Sequence, residues 1–149
     1  MHLTLAHIGA RPSAKDGFEV LTQTYLERCS PFADCQSEAF RSEEALLDWA
    51  AKHKGRTQPL LVLLDSRGRS MTSEAFAAWV GARRDDGTQR LVFAIGPASG
   101  WSDPVRQRAG LLLSLGPMTL AHALARLVLA EQIYRAFTIL SGHPYHAGH

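Results

Sequence analysis

Short apolar runs and amphipathic stretches alternate along the 149 residues of the chain. Polar and apolar side chains alternate over residues 2–8 and stop at Gly9, which is typical of a strand that ends in a turn. Residues 60–64 are wholly apolar, as expected of a strand buried on both faces of a parallel sheet. Similar apolar runs follow, and we predict strands at residues 91–95 and 111–115 as well.

Helical spacing of apolar side chains predicts helices between these strands. The first includes Phe18 to Leu26 and is stopped by Ser30-Pro31. Polar or acidic first turns predict further helices that begin near residues 42–44, 72–74 and 102–104, and a long one from about 119 to 140. Strands that alternate with helices predict an α/β fold with a mainly parallel sheet. The length suits a single domain over residues 1–149.

Three glycine-containing segments follow the carboxyl ends of predicted strands, where ligands bind in such sheets. They are residues 65–69, 96–100 and 116–119, and their glycines allow a ligand to approach the backbone closely. Each segment alone is also compatible with an ordinary turn. None contains the phosphate-binding G-K-[ST] or the dinucleotide-binding G-x-G-x-x-G pattern. The sequence therefore argues against nucleotide hydrolysis and classical dinucleotide binding.

Composition narrows the remaining classes of protein. No apolar run approaches the roughly 20 residues that span a bilayer, and the N-terminus lacks an export signal, so we expect a soluble cytoplasmic protein. The net charge of +2 permits an RNA partner without requiring one. Cys29 and Cys35 have neither zinc nor redox spacing, and we expect reduced thiols. His143, His146 and His149 lie at the chain end with no further ligand beside them, so we expect no metal.

Ordered motifs occupy the second half of the chain. A segment from Leu63 reads L-L-D-S-R-G-R-S-M-T-S-E-A-F-A, and Ile95-Gly96 is followed by Gly100. From His122 the chain reads H-A-L-A-R-L-V-L-A-E-Q-I-Y-R-A-F, and it ends in a tail with Pro144-Tyr145-His146. These strings resemble the RlmH-type enzymes of the SPOUT class of methyltransferases, and the resemblance covers roughly residues 60–146.

The resemblance implies a SPOUT-type α/β fold whose C-terminal segment forms a trefoil knot. It also implies a homodimer that uses S-adenosylmethionine to methylate N3 of pseudouridine in large-subunit ribosomal RNA of an assembled ribosome. His122 and Arg126 would contact the RNA. The cofactor-binding residues carried over by position are Leu64, Gly96, Leu115, Gly116, Pro117, Met118, Thr119 and Leu120.

The same resemblance places the catalytic groups at the C-terminus, with Tyr145 and His146 near the transferred methyl group. The acceptor nitrogen must lose a proton, and His146 is the first candidate to take it because histidine titrates near neutral pH. Arg135 would lower the pKa of the acceptor or hold the RNA. The spacing by itself predicts an ion pair between Glu131 and Arg135 at i,i+4. The wide apolar circumference of this helix predicts that a partner subunit covers it.

Two departures from the family pattern leave alternatives open. Pro97 stands where relatives commonly have a second glycine, and it removes a backbone donor from that loop. Gly9-Ala10-Arg11 replaces a more basic segment after the first strand. One alternative is a non-catalytic RNA-binding or ribosome-assembly protein of the same fold. The other is a SPOUT methyltransferase with a different RNA site.

Overall fold

Five parallel strands form a single sheet in the computed structural model, which describes residues 1–52 and 57–148. The strand order is β2-β1-β4-β3-β5. The strands are β1 (His2–Ile8), β2 (Asp34–Phe40), β3 (Leu60–Ser70), β4 (Arg90–Ile95) and β5 (Leu111–Ser114). The helices are α1 (Gly17–Arg28), α2 (Glu43–Ala51), α3 (Ser73–Asp85), α4 (Asp103–Arg106) and α5 (His122–Ser141), followed by a 3-10 turn at His146–Gly148. The predicted α/β architecture is confirmed.

Helices cover both faces of the sheet, which creates two apolar cores. Side chains alternate across a strand, so Val62 of β3 packs with α1, α3 and α5, whereas Leu61 and Leu63 pack with α2 and α4. The central strands β3 and β4 are apolar on both faces for this reason. No helix in residues 1–52 and 57–148 is long and apolar enough to cross a membrane.

Local sequence signals set the helix boundaries. The side chains of Asp16, Ser42 and Thr72 each accept a hydrogen bond from a backbone N–H in the first turn of α1, α2 and α3. Helix α5 ends at Gly142, whose φ of +74° is easily adopted only by glycine. The helix begins at His122, a few residues later than its apolar pattern predicted.

Strand β2 was missed by the sequence prediction, which placed no strand between α1 and α2. Its residues read D-C-Q-S-E-A-F, and none of them is fully buried. The strand lies at the edge of the sheet and, among the described strands, pairs only with β1. An edge strand with little buried surface has no apolar run to reveal it, so only its pairing with β1 defines it.

The prediction that residues 65–69 form a loop was wrong, because β3 continues through them to Ser70, although Asp65 and Ser66 line a cavity as a ligand segment would. Its pairing with β5 shifts register between Leu64 and Arg69, which indicates a bulge. A Cβ at Gly68 would lie 2.5 Å from the backbone carbonyl of Leu112. This glycine therefore allows two strands to approach closely.

Helix α5 is largely covered by its own chain. It packs against α1 on one side and α3 on the other, and nine of its residues are buried. The sequence analysis predicted a partner subunit from the wide apolar surface of α5. Contacts with α1 and α3 of the same chain account for much of that surface. Exposed apolar side chains include Phe18, Val20 and Leu21 of α1, which are 44%, 49% and 49% exposed, and α5 itself exposes Leu124. The homodimer and the knotted path stay predictions.

Candidate functional site

A cavity of about 250 Å³ lies at the carboxyl ends of β3, β4 and β5. We call it the central cavity. Its wall is formed by the end of the β3 apolar run, by Ile95, and by the segment that joins β5 to α5. Of the residues that the motifs assign to the cofactor, those found here are Leu64, Leu115, Gly116, Pro117, Met118, Thr119 and Leu120.

A second cavity of about 280 Å³ adjoins the central cavity and lies between α3 and α5. The two share Leu113, Leu115 and Gly116. Gly116 has a φ of +123°, and a Cβ there would point into open space. Its backbone N–H donates to Ser114 Oγ over 3.1 Å, which holds the turn after β5. Glycine at this position therefore leaves room where the two cavities meet.

Gly96 is the one predicted cofactor residue that does not line the central cavity. A Cβ at Gly96 would lie 2.8 Å from Cε2 of Trp101, so the space beside it is already filled by the indole. Trp101 is buried and donates from Nε1 to the carbonyl oxygen of Leu64 over 2.9 Å. Gly96 thus shapes the cavity through Trp101 and Leu64. No motif pointed to this tryptophan.

Pro97 stands in the loop that follows β4, and Asp65 lines the central cavity. The Pro97 carbonyl accepts from the Gly100 N–H over 2.8 Å, so the loop closes as a turn without a second glycine. Asp65 forms an ion pair of 2.8 Å with Arg106. Burial alone would raise the pKa of Asp65. The hydrogen bond from the Arg67 N–H and the charges of Arg106 and Arg67 together have the larger, opposite effect, so the pKa lies below its ordinary value. The Asp65 carboxylate is therefore held ionised.

The predicted catalytic residues meet in one network at the C-terminal half of α5. Arg135 donates from Nε and Nη2 to Glu131 Oε1 over 3.0 and 2.6 Å, which confirms the predicted i,i+4 pair. Its Nη1 lies 2.9 Å from His146 Nδ1. His146 Nε2 lies 2.7 Å from Oε1 of Glu74, at the start of α3.

These contacts define the tautomer of His146. A guanidinium can only donate, so Nδ1 must be the unprotonated nitrogen that accepts from Arg135. Nε2 then carries the proton and donates it to the Glu74 carboxylate. This hydrogen bond is the main cause that lowers the pKa of Glu74. The sequence analysis assigned no role to Glu74, although it stands in the T-S-E segment of the upstream motif.

Tyr145 completes the network through its hydroxyl group and its ring. Its hydroxyl donates to Glu131 Oε1 over 3.0 Å, and the Arg135 guanidinium carbon lies 4.9 Å from its ring centroid. Its ring also contacts Tyr134 edge to face at 4.8 Å. Burial and hydrogen bonds with Tyr25 and Glu131 raise the pKa of Tyr145, so its hydroxyl stays protonated. We call residues 143–148 with Glu131 and Arg135 the tail network.

His122 and Arg126, the predicted RNA contacts, lie at the other end of α5. His122 is exposed and its ring is 5.6 Å from that of His7. Arg126 is buried and forms an ion pair with Glu19 of α1. The shared face predicted for His122 and Arg126 therefore points towards β1 and α1. Sequence reasoning had missed His7 and Glu19, because neither is near α5 in the chain.

The described part of the chain contains two cysteines and several His, Asp and Glu side chains, all of which are potential metal ligands. No group of three or more His, Cys, Asp or Glu side chains there could hold a metal ion. His149 lies outside the described residues. Cys29 and Cys35 are free thiols, as the sequence predicted.

Comparison with known proteins identifies the family. A family model described as "Predicted SPOUT methyltransferase" matches residues 1–146. The chain is 46% identical, over all of its 149 residues and all of the relative, to "Ribosomal RNA large subunit methyltransferase H" of Koribacter versatilis. A protein of the same name from Brucella ovis is 50% identical over 109 residues, which are 73% of this chain and 64% of that protein.

Solved structures share the fold at low identity. The SpoU methyltransferase AviRb from Streptomyces viridochromogenes, solved in complex with AdoMet, matches with a TM-score of 0.51 and 13% identity, over 93% of this chain and 60% of that one. A probable methylase family protein from Haemophilus influenzae matches with a TM-score of 0.56 and 9% identity, over 96% and 69%. The family match over residues 1–146 and the end-to-end identity show that this chain belongs to the SPOUT family of methyltransferases, as its C-terminal motifs predicted.

Proposed function

We propose that this chain transfers a methyl group from S-adenosylmethionine to N3 of a pseudouridine in large-subunit ribosomal RNA. The observation that carries the proposal is the clustering of seven motif-assigned residues around the central cavity, at the edge of the sheet where ligands bind. A relative named "Ribosomal RNA large subunit methyltransferase H" is 46% identical along its whole length. The substrate would be an assembled ribosomal subunit, and the place of action would then be the cytoplasm.

The central cavity and its neighbour fit the proposed cofactor. Together they offer a concave site of the size that small-molecule ligands use, and their walls are mostly apolar with a few polar groups. The backbone of residues 115–120 and Leu64, the last residue of the apolar run in β3, would hold the adenosine part. Asp65 adds an ionised carboxylate at the rim, which suits hydroxyl or ammonium groups. S-adenosylmethionine supplies an activated methyl group, so the protein has mainly to align the acceptor and exclude water.

The tail network supplies the groups for proton removal. His146 Nδ1 is the basic nitrogen, and in this structure Arg135 donates to it. For His146 to take a proton, Arg135 must release Nδ1 and contact the substrate instead. The positive charge of Arg135 would then stabilise the deprotonated base. Glu74 then acts as a positioning residue, because its hydrogen bond keeps Nδ1 unprotonated and stabilises the imidazolium that forms.

Methylation of isolated large ribosomal subunits tests the proposal. Subunits that carry the unmodified pseudouridine are incubated with labelled S-adenosylmethionine and the full chain, and the modified position is mapped by mass spectrometry. We expect one methyl group at N3 of that base. Cofactor binding without transfer would favour the non-catalytic alternative, and transfer to another nucleotide would favour a different RNA site.

The proposed homodimer has a separate test. The exposed apolar residues Phe18 and Leu21 of α1 lie beside α5 and provide a surface for a second copy. Replacing both with Arg should convert the dimer to a monomer in light scattering and lower activity in parallel. A monomeric unmodified protein at micromolar concentration would contradict the dimer and leave the methyl transfer proposal standing.

A further inference from the structure

A cavity of about 440 Å³ opens at the carboxyl ends of β1 and β2, away from the residues assigned to the cofactor. It adjoins another of about 300 Å³ that reaches His122 and the first turns of α5. The two share His7, Pro12, Glu19 and Arg126. We call them together the β1 cavity.

Arg126 lies in the wall of the β1 cavity with unused donors. Its side chain is only 6% exposed. Within residues 1–52 and 57–148, its hydrogen bonding is limited to one bond from Nη1 to Glu19, and its Nε–H has no partner. A guanidinium carries five N–H donors, and buried donors without acceptors are costly. This arrangement favours a ligand that brings an acceptor to Arg126.

His7 adds a neutral ring to the same wall. Its Nε2 donates to the carbonyl oxygen of Ala10 over 2.9 Å, which leaves Nδ1 unprotonated and, in the described part of the chain, without a partner. Burial is the main cause that lowers the pKa of His7, and it holds the ring neutral near physiological pH. His7 therefore offers a flat uncharged surface next to the ion pair, and the ring of His122 lies 5.6 Å from it.

The charge of the wall disfavours a phosphate. Four carboxylates, those of Asp16, Glu19, Glu27 and Glu38, stand against the guanidiniums of Arg11 and Arg126. A neutral ligand that forms hydrogen bonds is better matched than an anion. The Glu19 carboxylate stands directly beside the Arg126 guanidinium, so the wall presents an acceptor next to a donor.

We propose that the β1 cavity binds an unpaired nucleobase of the RNA substrate through a lactam edge, in which N–H stands next to C=O. The base carbonyl accepts from Arg126, and the base N–H donates to Glu19. Uracil, pseudouridine and guanine have such an edge, whereas cytosine and adenine do not. The inference rests on the proposed function only in taking RNA as the substrate, and it names the class of base that the enzyme recognises.

Nucleoside titrations of the full chain test the inference without altering the protein. Imidazole resonances are followed by NMR while uridine, pseudouridine, guanosine, cytidine or adenosine is added. We expect the His7 and His122 resonances to shift with the three lactam nucleosides, with dissociation constants on the order of 1 mM. Cytidine and adenosine should bind at least about fivefold more weakly, as expected when a polar wall is left unpaired. Equal shifts with all five nucleosides, or no shift at these residues, would overturn the inference.

A conservative variant sharpens the test. Arg126→Lys keeps a cation beside Glu19 but loses the planar fork, so the preference for uridine over cytidine should fall to about twofold or less. Arg83→Lys is the matched control, because Arg83 forms a helical ion pair with Asp86 far from this wall and its loss of the fork should change nothing. An unchanged preference in a folded Arg126→Lys protein would remove Arg126 from recognition. Failure of methyl transfer in the unmodified protein would reject the proposed function and leave the nucleoside preference intact.

Discussion

Helix α5 carries two arginines, each paired with a glutamate, and their surroundings differ. Arg126 pairs with Glu19 of another helix, is almost completely buried and keeps unused donors. Arg135 pairs with Glu131 on its own helix, and its remaining contacts come from His146 and Tyr145 of the tail. The first pair belongs to the packed body, whereas the second is completed by the end of the chain.

This difference separates a stabilising role from a catalytic one. Removing one partner of a buried ion pair leaves an uncompensated charge in the core, so stability depends on Arg126. The side chains of two partners of Arg135, Glu131 and His146, are 18% and 28% exposed, so we expect that substrate can replace these contacts. We therefore expect changes at Arg126 to act on folding and base recognition, and changes around Arg135 to act on turnover.

The largest expected effect follows removal of the tail from His143 onward. Turnover should fall by at least about 100-fold, because His146 and Tyr145 are lost together. The melting temperature should fall by less than about 6 °C, since the tail contributes two ring contacts and three side-chain hydrogen bonds that are only part-buried or exposed. Methylation of large ribosomal subunits and thermal melts measure the two effects.

Removal of only residues 147–149 is the control and should leave turnover nearly unchanged. A chain without residues 143–149 that methylates at the full rate would show that the tail network is not catalytic. A chain that no longer folds would show that the tail belongs to the core.

The second effect is a difference in stability between Arg126→Ala and Arg135→Ala. We expect Arg126→Ala to lose about 3 kcal/mol of unfolding free energy, because the Glu19 side chain, which is 12% exposed, would lose its partner. Arg135→Ala should lose about 1–2 kcal/mol, since Glu131 is nearer to solvent and keeps the Tyr145 hydroxyl. Urea unfolding measures both. Equal losses would show that the two ion pairs are equally part of the core.

The third effect concerns Gly116, which lines both the central cavity and the cavity that adjoins it. Gly116→Ala should weaken S-adenosylmethionine binding by about tenfold or more, because the methyl group takes space in the cavity and the positive φ is strained. Gly87→Ala is a matched control, since Gly87 has a φ of +87° at the end of α3 and also has open space at its Cβ position. Calorimetry should show weakened binding only for Gly116→Ala. Equal weakening would assign the effect to backbone strain.

The smallest effect is a pH dependence of stability that comes from Glu19. Burial alone would raise the pKa of Glu19, but the hydrogen bonds from Arg126 and Gln23 together have the larger, opposite effect. The folded pKa therefore lies below the ordinary value of 4.5. Its stabilisation is therefore complete above that value and is lost as pH falls through the folded pKa. Between neutral pH and about pH 3, the double variant Glu19→Gln with Arg126→Met should lose about 1 kcal/mol less unfolding free energy than the unmodified protein. An identical loss of unfolding free energy, measured by urea unfolding, would mean that the ion pair of Glu19 does not stabilise the folded protein.

The sequence predicted those elements whose signals are local. Strands β3 and β4 are visible as apolar runs because both of their faces are buried. Thr72 indicated the start of α3 because a cap uses residues next to each other in the chain. Strand β2 has no such signal, since an edge strand is defined by its neighbour. The glycine of residues 65–69 looked like a ligand contact and serves strand packing instead.

The sequence by itself determined the α/β class, the family motifs and the loop of residues 115–120 that lines the central cavity. Only the tertiary structure decided which charged groups meet. Glu19 and Arg126 are 107 residues apart in the chain, and Glu74 and His146 are 72 apart. Trp101 likewise fills the space beside Gly96 and bonds to Leu64. Such pairings depend on how distant elements pack on the sheet, and no periodicity or local spacing along the chain encodes that contact.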